Sequence, residues 1–410
     1  MPSVLGRRLP LVGVAAVVLG VLVATSRVET AVRPPKFQYE LHTLDNGLTV
    51  ILSEDHSTPI VHSRLVYKVG SKNERPGRTG FAHLFEHMMF KGSKNVLPDS
   101  HLTLISRVGG AGNAFTTEDT TEYHETFPAQ YLPLALWLEA DRMATLRIDE
   151  ETFEAERQVV KEERRWRYED TPFGLLTEIM YDQAYNVHPY KHTAIGSMED
   201  LEAASIDDVR EFFETYYVPE NAFLTLVGDF ESAEALALVK QYFGRVPKAK
   251  RPVPRDIPRE PRPTGERRIT LSQSENWPLP VVVVAHHITY DGHPDAYPLH
   301  IATKVLSDGE SSRIFRRLIY DDQVAVSAFG SGTLIDDPNL FYAVAVVQPG
   351  RTTEEAEAAL IAELELLKTE FVSDRELQRA KNQFARDYVF SRATVEQKAS
   401  HLSHAAVIHD

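Results

Sequence analysis

The sequence predicts an α+β protein built from two homologous domains, each an antiparallel sheet packed with helices, and three observations carry that expectation. Strand-like stretches with polar/apolar alternation, among them Leu48 to Leu52 and Phe341 to Val347, alternate with helical patterns of about 10 to 20 residues. The order of these elements in the first half returns in the second. Between the halves, Arg251 to Glu266 reads RPVPRDIPREPRPTGE, with prolines at 252, 254, 258, 261 and 263. That density forbids helix or central strand and favours an extended spacer.

Composition narrows the function classes. A chain of 410 residues with 43% hydrophobic and 25% charged residues is long enough for two or three cores and is neither disordered nor collagen-like. The net charge of -15 argues against a nucleic-acid binder that neutralises phosphates. With no cysteine, disulfides, thiol catalysis and Cys-type zinc sites are excluded, so any metal must rest on His and carboxylate ligands.

At the N-terminus, Arg7 and Arg8 precede an uncharged apolar run from Leu9 to Ala24, the pattern of a secretory signal peptide over residues 1–31. The run is short for a spanning helix, which needs about 20 residues, but an uncleaved anchor stays open as the alternative. The expected location is periplasmic or secreted, with the membrane touched only through this segment. A first domain is expected over 34–248, the linker over 249–266 and a second domain over 267–410.

In the first domain a strand at Ile60 to Val69 is followed by an apolar helix at 80–90 and a charged helix ending in ERQVVKEERRW. In the second, a strand at Leu279 to Ile288 precedes a helix at 295–306, and SDRELQRAKNQFARDY at 373–388 echoes DEETFEAERQVVKEER at 149–164. The first domain continues through SIDDVREFFETYYVPENAFLTLVGDF before the linker, whereas the sequence of the second stops short of that stage. Either the second copy is shortened or the chain is a fragment.

The most informative segment is Gly80 to Gly92, GFAHLFEHMMFKG. His83 and His87, four residues apart, project from one helix face about 5 to 6 Å apart at Cβ, a spacing that lets two ring nitrogens share a metal. Glu86 lies beside that face, placed to take a proton from water without being a ligand. The other positions are apolar and bury the helix. Two histidines at helical spacing can also be plain core residues, so a third ligand decides. In FEAERQVVKEERRW, Glu156 and Glu163 lie seven apart on one helix face. Glu163 would complete a His2Glu set with the fourth position left for water, and Glu156 would orient a ligand or join in proton transfer. Glu154, Lys161, Glu162 and Arg165 read as a solvated face.

His83-Leu84-Phe85-Glu86-His87, with Glu163 lying 76 residues after His87, resembles the inverted zinc motif of the pitrilysin/insulinase family, in the style of the mitochondrial processing peptidase branch and its bacterial relatives. The resemblance runs through most of 38–400 and includes LDNGLTVIL at 44–52, GGAGNAFTTEDTTEY at 109–123, HPYKHTAIGS at 188–197 and YVPENAFLTLVGDF at 217–230. It implies a zinc endopeptidase whose repeated α+β domains close like a clamshell around a peptide. His83, His87 and Glu163 would hold Zn2+, Glu86 would be the general base and Glu156 the accessory carboxylate. The stretch Asn113, Ala114, Phe115 and Thr116 would be an edge strand to which an extended substrate adds by main-chain hydrogen bonds. A plain turn and strand would serve those four residues equally well.

Two departures follow from the same resemblance. Aligning Met88 to Gly92 with Val305 to Gly309 sets His300, Thr303 and Lys304 opposite His83, Glu86 and His87, and Asp387 opposite Glu163, so one zinc per chain is expected. Active family members also carry an Arg and a Tyr seven residues apart that bind the substrate carbonyl. In SSRIFRRLIYDDQVAVS at 311–327 those places hold Ile319 and Val326, and Arg313, Arg317 and Tyr320 stand in the wrong register. The expectation is a peptidase subunit that pairs with a homologous subunit supplying the Arg/Tyr pair. The alternatives are a non-catalytic assembly subunit and a peptide-binding chaperone of the same fold.

Overall fold

The computed structural model of the protein describes residues 36–272 and 277–408. The signal or anchor expected over 1–31 lies outside the described residues. Among the described residues no helix is long and apolar enough to cross a membrane.

The first sheet has six strands, β1 (Glu40–Thr43), β2 (Thr49–Glu54), β3 (Ile60–Tyr67), β4 (Ala111–Thr116), β5 (Thr121–Pro128) and β6 (Ala222–Gly228), in the order β1-β2-β6-β3-β5-β4. It is antiparallel except where β2 and β6 run parallel. Its helices are α1 (Phe81–Met88), α2 (Ser100–Arg107), α3 (Leu132–Thr145), α4 (Glu150–Arg164), α5 (Leu176–Ala184), α6 (Met198–Ala203), α7 (Ile206–Tyr216) and α8 (Ser232–Phe243). The main core lies between the sheet and this layer, with Val61, Leu65 and Tyr67 of β3 against Phe85 of α1 and Leu136 of α3.

From residue 244 to 280 the described chain has neither helix nor strand, as the prolines dictate. The second sheet has three antiparallel strands, β7 (Val281–His287), β8 (Ala325–Gly332) and β9 (Leu340–Val347), in the order β7-β9-β8. With it go α9 (Ala296–Ser307), α10 (Thr353–Thr369), α11 (Asp374–Phe390) and α12 (Val395–Ile408). The order β7-β9-β8 reproduces β3-β5-β4 of the first sheet. The strands and helices expected from the sequence fall within two residues of the observed ends.

Local signals explain the long helices. Asp149 caps α4 by accepting from the amide of Thr152, and the acidic Glu150 and Glu151 follow in its first turn. The echoing α11 opens with a reciprocal capping box between Ser373 and Glu376.

The halves exchange helices. α5, which follows the charged helix α4, leaves its own sheet, and its Tyr181 and the following Tyr185 pack against Leu340 and Tyr342 of β9. The Tyr181 hydroxyl donates to Asn339 Oδ1 at 2.9 Å and the Tyr185 hydroxyl to the Pro338 carbonyl at 3.0 Å. In return α12, which follows the charged helix α11, covers the outer face of the first sheet, with Val407 against Val66 and Phe223. Ser403 and Thr225 join their hydroxyls at 2.8 Å, and Lys68 Nζ donates to the Val407 carbonyl at 2.6 Å. Corresponding helices thus make corresponding exchanges, as a duplicated unit would.

Candidate functional site

Two glycines and one carboxylate set the start of α1. Gly80 has φ +88 and Gly196 has φ +72, and a Cβ on Gly196 would stand 2.4 Å from the Gly80 nitrogen. The buried carboxylate of Glu74 accepts the first free amides of the helix, from Gly80 at 2.9 Å and Ala82 at 2.8 Å. Phe81, Leu84, Phe85 and Met88 then pin one face in the core, with Phe85 stacked on Phe212 of α7 at 5.4 Å between ring centroids. The 3.6-residue period turns His83 and His87 to the other face, toward α4.

There Glu163 Oε2 lies 3.6 Å from His83 Nε2 and 3.3 Å from His87 Nε2. Zinc bonds of about 2.0–2.1 Å to nitrogen and oxygen place tetrahedral donors about 3.3–3.5 Å apart, so Glu163 already stands close to zinc-ligand spacing from each histidine. Two nitrogens and one carboxylate oxygen is also the donor chemistry of a zinc site that keeps one position open. His87 presents its other nitrogen, Nδ1, to Glu156 Oε2 at 3.4 Å, and Lys91 Nζ holds Glu156 Oε1 at 2.9 Å. Glu86 accepts from the Thr116 hydroxyl at 2.7 Å, which fixes its carboxylate between α1 and β4.

The electrostatics separate the two histidines. Burial, with the neighbouring His87, lowers His83 to about 4. Burial pulls His87 the same way, but the Glu156 and Glu163 carboxylates prevail and raise it to about 9. Burial also pushes Glu86 above the usual carboxylate range, against the Thr116 hydrogen bond. A raised carboxyl beside the donors suits a group that must both take and return a proton.

The structure thus brings His83, His87 and Glu163 together, with Glu86 and Glu156 adjoining. Asn113, Ala114, Phe115 and Thr116 lie on β4, which ends the sheet order and has one side unpaired. Their side chains divide: Thr116 serves Glu86, Ala114 enters the core, and Phe115 turns to the other face, 6.2 Å from the His124 ring.

Sequence reading missed Lys91 and Arg167, whose Nη1 lies 2.8 Å from Glu163 Oε1. Each stands four residues after a site residue, a spacing that signals a shared helix face. Arg167 sits in a π-helical turn, Arg165–Glu169, that continues α4. Single π-turns within helices are frequent at functional sites. One expectation is corrected: Lys161 is not solvated but buried, because its ammonium reaches across to Glu202 on α6 at 2.9 Å.

In the second half, Lys304 Nζ pairs with Asp387 Oδ2 at 2.6 Å, and Thr303 donates to the Leu299 carbonyl of its own helix. Ile319 packs against the second core and Val326 is exposed. Arg313 is held by Glu376 at 2.9 Å and Arg317 by Asp322, while Tyr320 is exposed.

Residues 49–197 match the family model described as insulinase (peptidase family M16), and residues 203–384 match the model of the peptidase M16 inactive domain. The chain is 32% identical to the zinc protease PqqE of Helicobacter pylori over 92% of its own length and 85% of that protein's. It is 25% identical to the beta subunit of the mitochondrial-processing peptidase of Saccharomyces cerevisiae, over 83% of this chain and 76% of that one. Among solved structures, the crystal structure of a protease from Helicobacter pylori superposes with a TM-score of 0.87 at 31% identity, over 92% of this chain and 91% of that one.

Proposed function

Because the chain belongs to the pitrilysin/insulinase family of zinc proteases, we propose that it is the zinc-bearing subunit of an endopeptidase that cleaves peptides or unfolded segments. The observation that carries the reading is the convergence of His83, His87 and Glu163, with Glu86 held beside them by Thr116. These three residues would hold Zn2+, and the bound metal supplies Lewis acidity toward the scissile carbonyl and the attacking water. Glu86 takes the proton of that water and returns it to the leaving amine. Glu156 keeps His87 oriented through Nδ1. The free side of β4 accepts the substrate backbone as an added strand, a mode that tolerates many side chains.

Ile319 and Val326 offer no donor to a developing oxyanion, and loss of even one such donor costs about 10²- to 10³-fold in rate. The reading therefore includes a homologous partner subunit that carries an Arg and a Tyr seven apart and lacks the histidine motif. The apolar run after Arg7 and Arg8 supports export to the cell envelope. The missing pair also favours a second reading, a zinc-binding subunit that cleaves nothing. Zinc analysis and a peptide-cleavage assay, on the chain alone and mixed with candidate homologous partners, separate the two. The peptidase reading expects zinc in both samples and turnover in the mixture; zinc without turnover in any mixture selects the second.

A further inference from the structure

Away from the metal centre, Lys72 is buried at the junction of the two halves. Its ammonium lies 2.9 Å from Asp119 Oδ1, 2.6 Å from Asp336 Oδ2 and 3.0 Å from Asp337 Oδ2. The three carboxylates are grouped tightly enough for a metal ion, but the chain supplies its own cation at their centre. Asp119 follows the edge strand β4, whereas Asp336 and Asp337 come from the β8–β9 turn of the second half. Backbone bonds close the cluster: the Asp336 amide donates to Asp119 Oδ2 at 3.1 Å and the Asp337 amide to the Tyr190 hydroxyl at 3.1 Å. That hydroxyl in turn donates to Asp119 Oδ1 at 2.6 Å.

The near side of the cluster leads to the metal centre by two short routes. The amides of Ser71 and Lys72 donate to the carbonyls of Thr117 and Glu118, which continue directly from Thr116, the partner of Glu86. Gly70 lies so close to this turn that a Cβ on it would stand 2.5 Å from the Glu118 carbonyl carbon. Two residues beyond Lys72, Glu74 holds the amides that begin α1, the helix of His83 and His87.

We propose that Lys72 is a positioning residue that couples the β8–β9 turn of the second half to the helix and edge strand of the metal centre. A buried ammonium facing three carboxylates is a stiff linkage, because removing it leaves uncompensated charge. Coupling of this kind is reciprocal, so a ligand that steadies α1 must also steady the turn. The inference rests on the proposed function only in using zinc as one probe.

Amide hydrogen exchange on the whole chain tests it. In the metal-free chain, Lys72→Met is expected to speed exchange at least tenfold in 333–339 and 117–120, and also in 80–88, to which the Lys72 ammonium is not hydrogen-bonded. Added zinc is expected to slow exchange of 333–339 in the parent chain and to leave it unchanged in Lys72→Met. If Lys72→Met does not fold, Asp336→Asn carries the same readouts with a smaller change. Faster exchange confined to 333–339, or equal slowing by zinc with and without Lys72, overturns the proposal. Zinc content measured on the same samples keeps the two readings apart. A chain that takes up no zinc defeats the metal reading, while the metal-free comparison still decides the coupling.

Discussion

Lys304 Nζ and Asp387 Oδ2 meet at 2.6 Å in the second half, at the positions where His87 and Glu163 face each other in the first. The second half keeps the helix pair and holds an ion pair where the first sets a histidine against a carboxylate. A lysine ammonium beside the carboxylate already supplies the positive charge that a metal would bring, and it repels a dication.

One zinc per chain is the expected stoichiometry, read by elemental analysis of the full chain after dialysis. Asp387→Asn should leave that value unchanged. Glu163→Gln should weaken zinc binding by 10-fold or more, because it removes an anionic ligand, whereas Glu162→Gln, one residue away on an exposed face, should change it little. Equal losses in the two variants would contradict the ligand assignment.

Much of this was legible in the sequence, and what was not has a physical reason. The spacing of His83 and His87 and the seven-residue step from Glu156 to Glu163 are properties of one helix, which the 3.6-residue period determines without tertiary knowledge. Lys91 and Arg167 each stand four residues after a site residue in the sequence, and that step could have pointed to them. Lys72 could not, because its three carboxylates lie 47 or more positions away along the chain and meet it only when β4 and the β8–β9 turn are folded together. The exchange of α5 and α12 was hidden likewise, since an amphipathic helix shows which face it buries but not which sheet it covers.

Glu86→Gln should keep the zinc stoichiometry of the parent chain and lower turnover of the active complex by about 10²- to 10⁴-fold, the usual contribution of a general base. The amide still accepts from the Thr116 hydroxyl, so the fold around α1 should persist. Paired zinc analysis and peptide-cleavage kinetics check this, and unimpaired cleavage would remove Glu86 from its role.

Gly196→Ala should loosen the proposed metal site from outside it. At φ +72 an alanine costs about 1–2 kcal/mol, and its methyl would also overlap the Gly80 backbone at the start of α1. Both a lower unfolding midpoint and weaker zinc binding are expected, measured by thermal unfolding and zinc titration. The same substitution at Gly350 also meets a positive φ but has open space around it, so it should lower the midpoint without touching zinc affinity.

Acid should weaken the junction of the halves in a defined window. Burial works against the charge of Asp337, but His188 and Lys72 outweigh it and hold its carboxyl at about 2. In the unfolded chain the same group titrates near the ordinary value of about 3.9. A carboxyl depressed by folding stabilises the folded state fully above the unfolded value, and that contribution disappears as pH falls through the folded one. The parent chain should therefore lose stability between about pH 4 and pH 2 more steeply than Asp337→Asn, which has no proton to take up at this position. Urea unfolding midpoints of the two proteins, followed from pH 6 downward, should converge across that window; midpoints that stay a constant distance apart would show that the charge of Asp337 contributes nothing to folding.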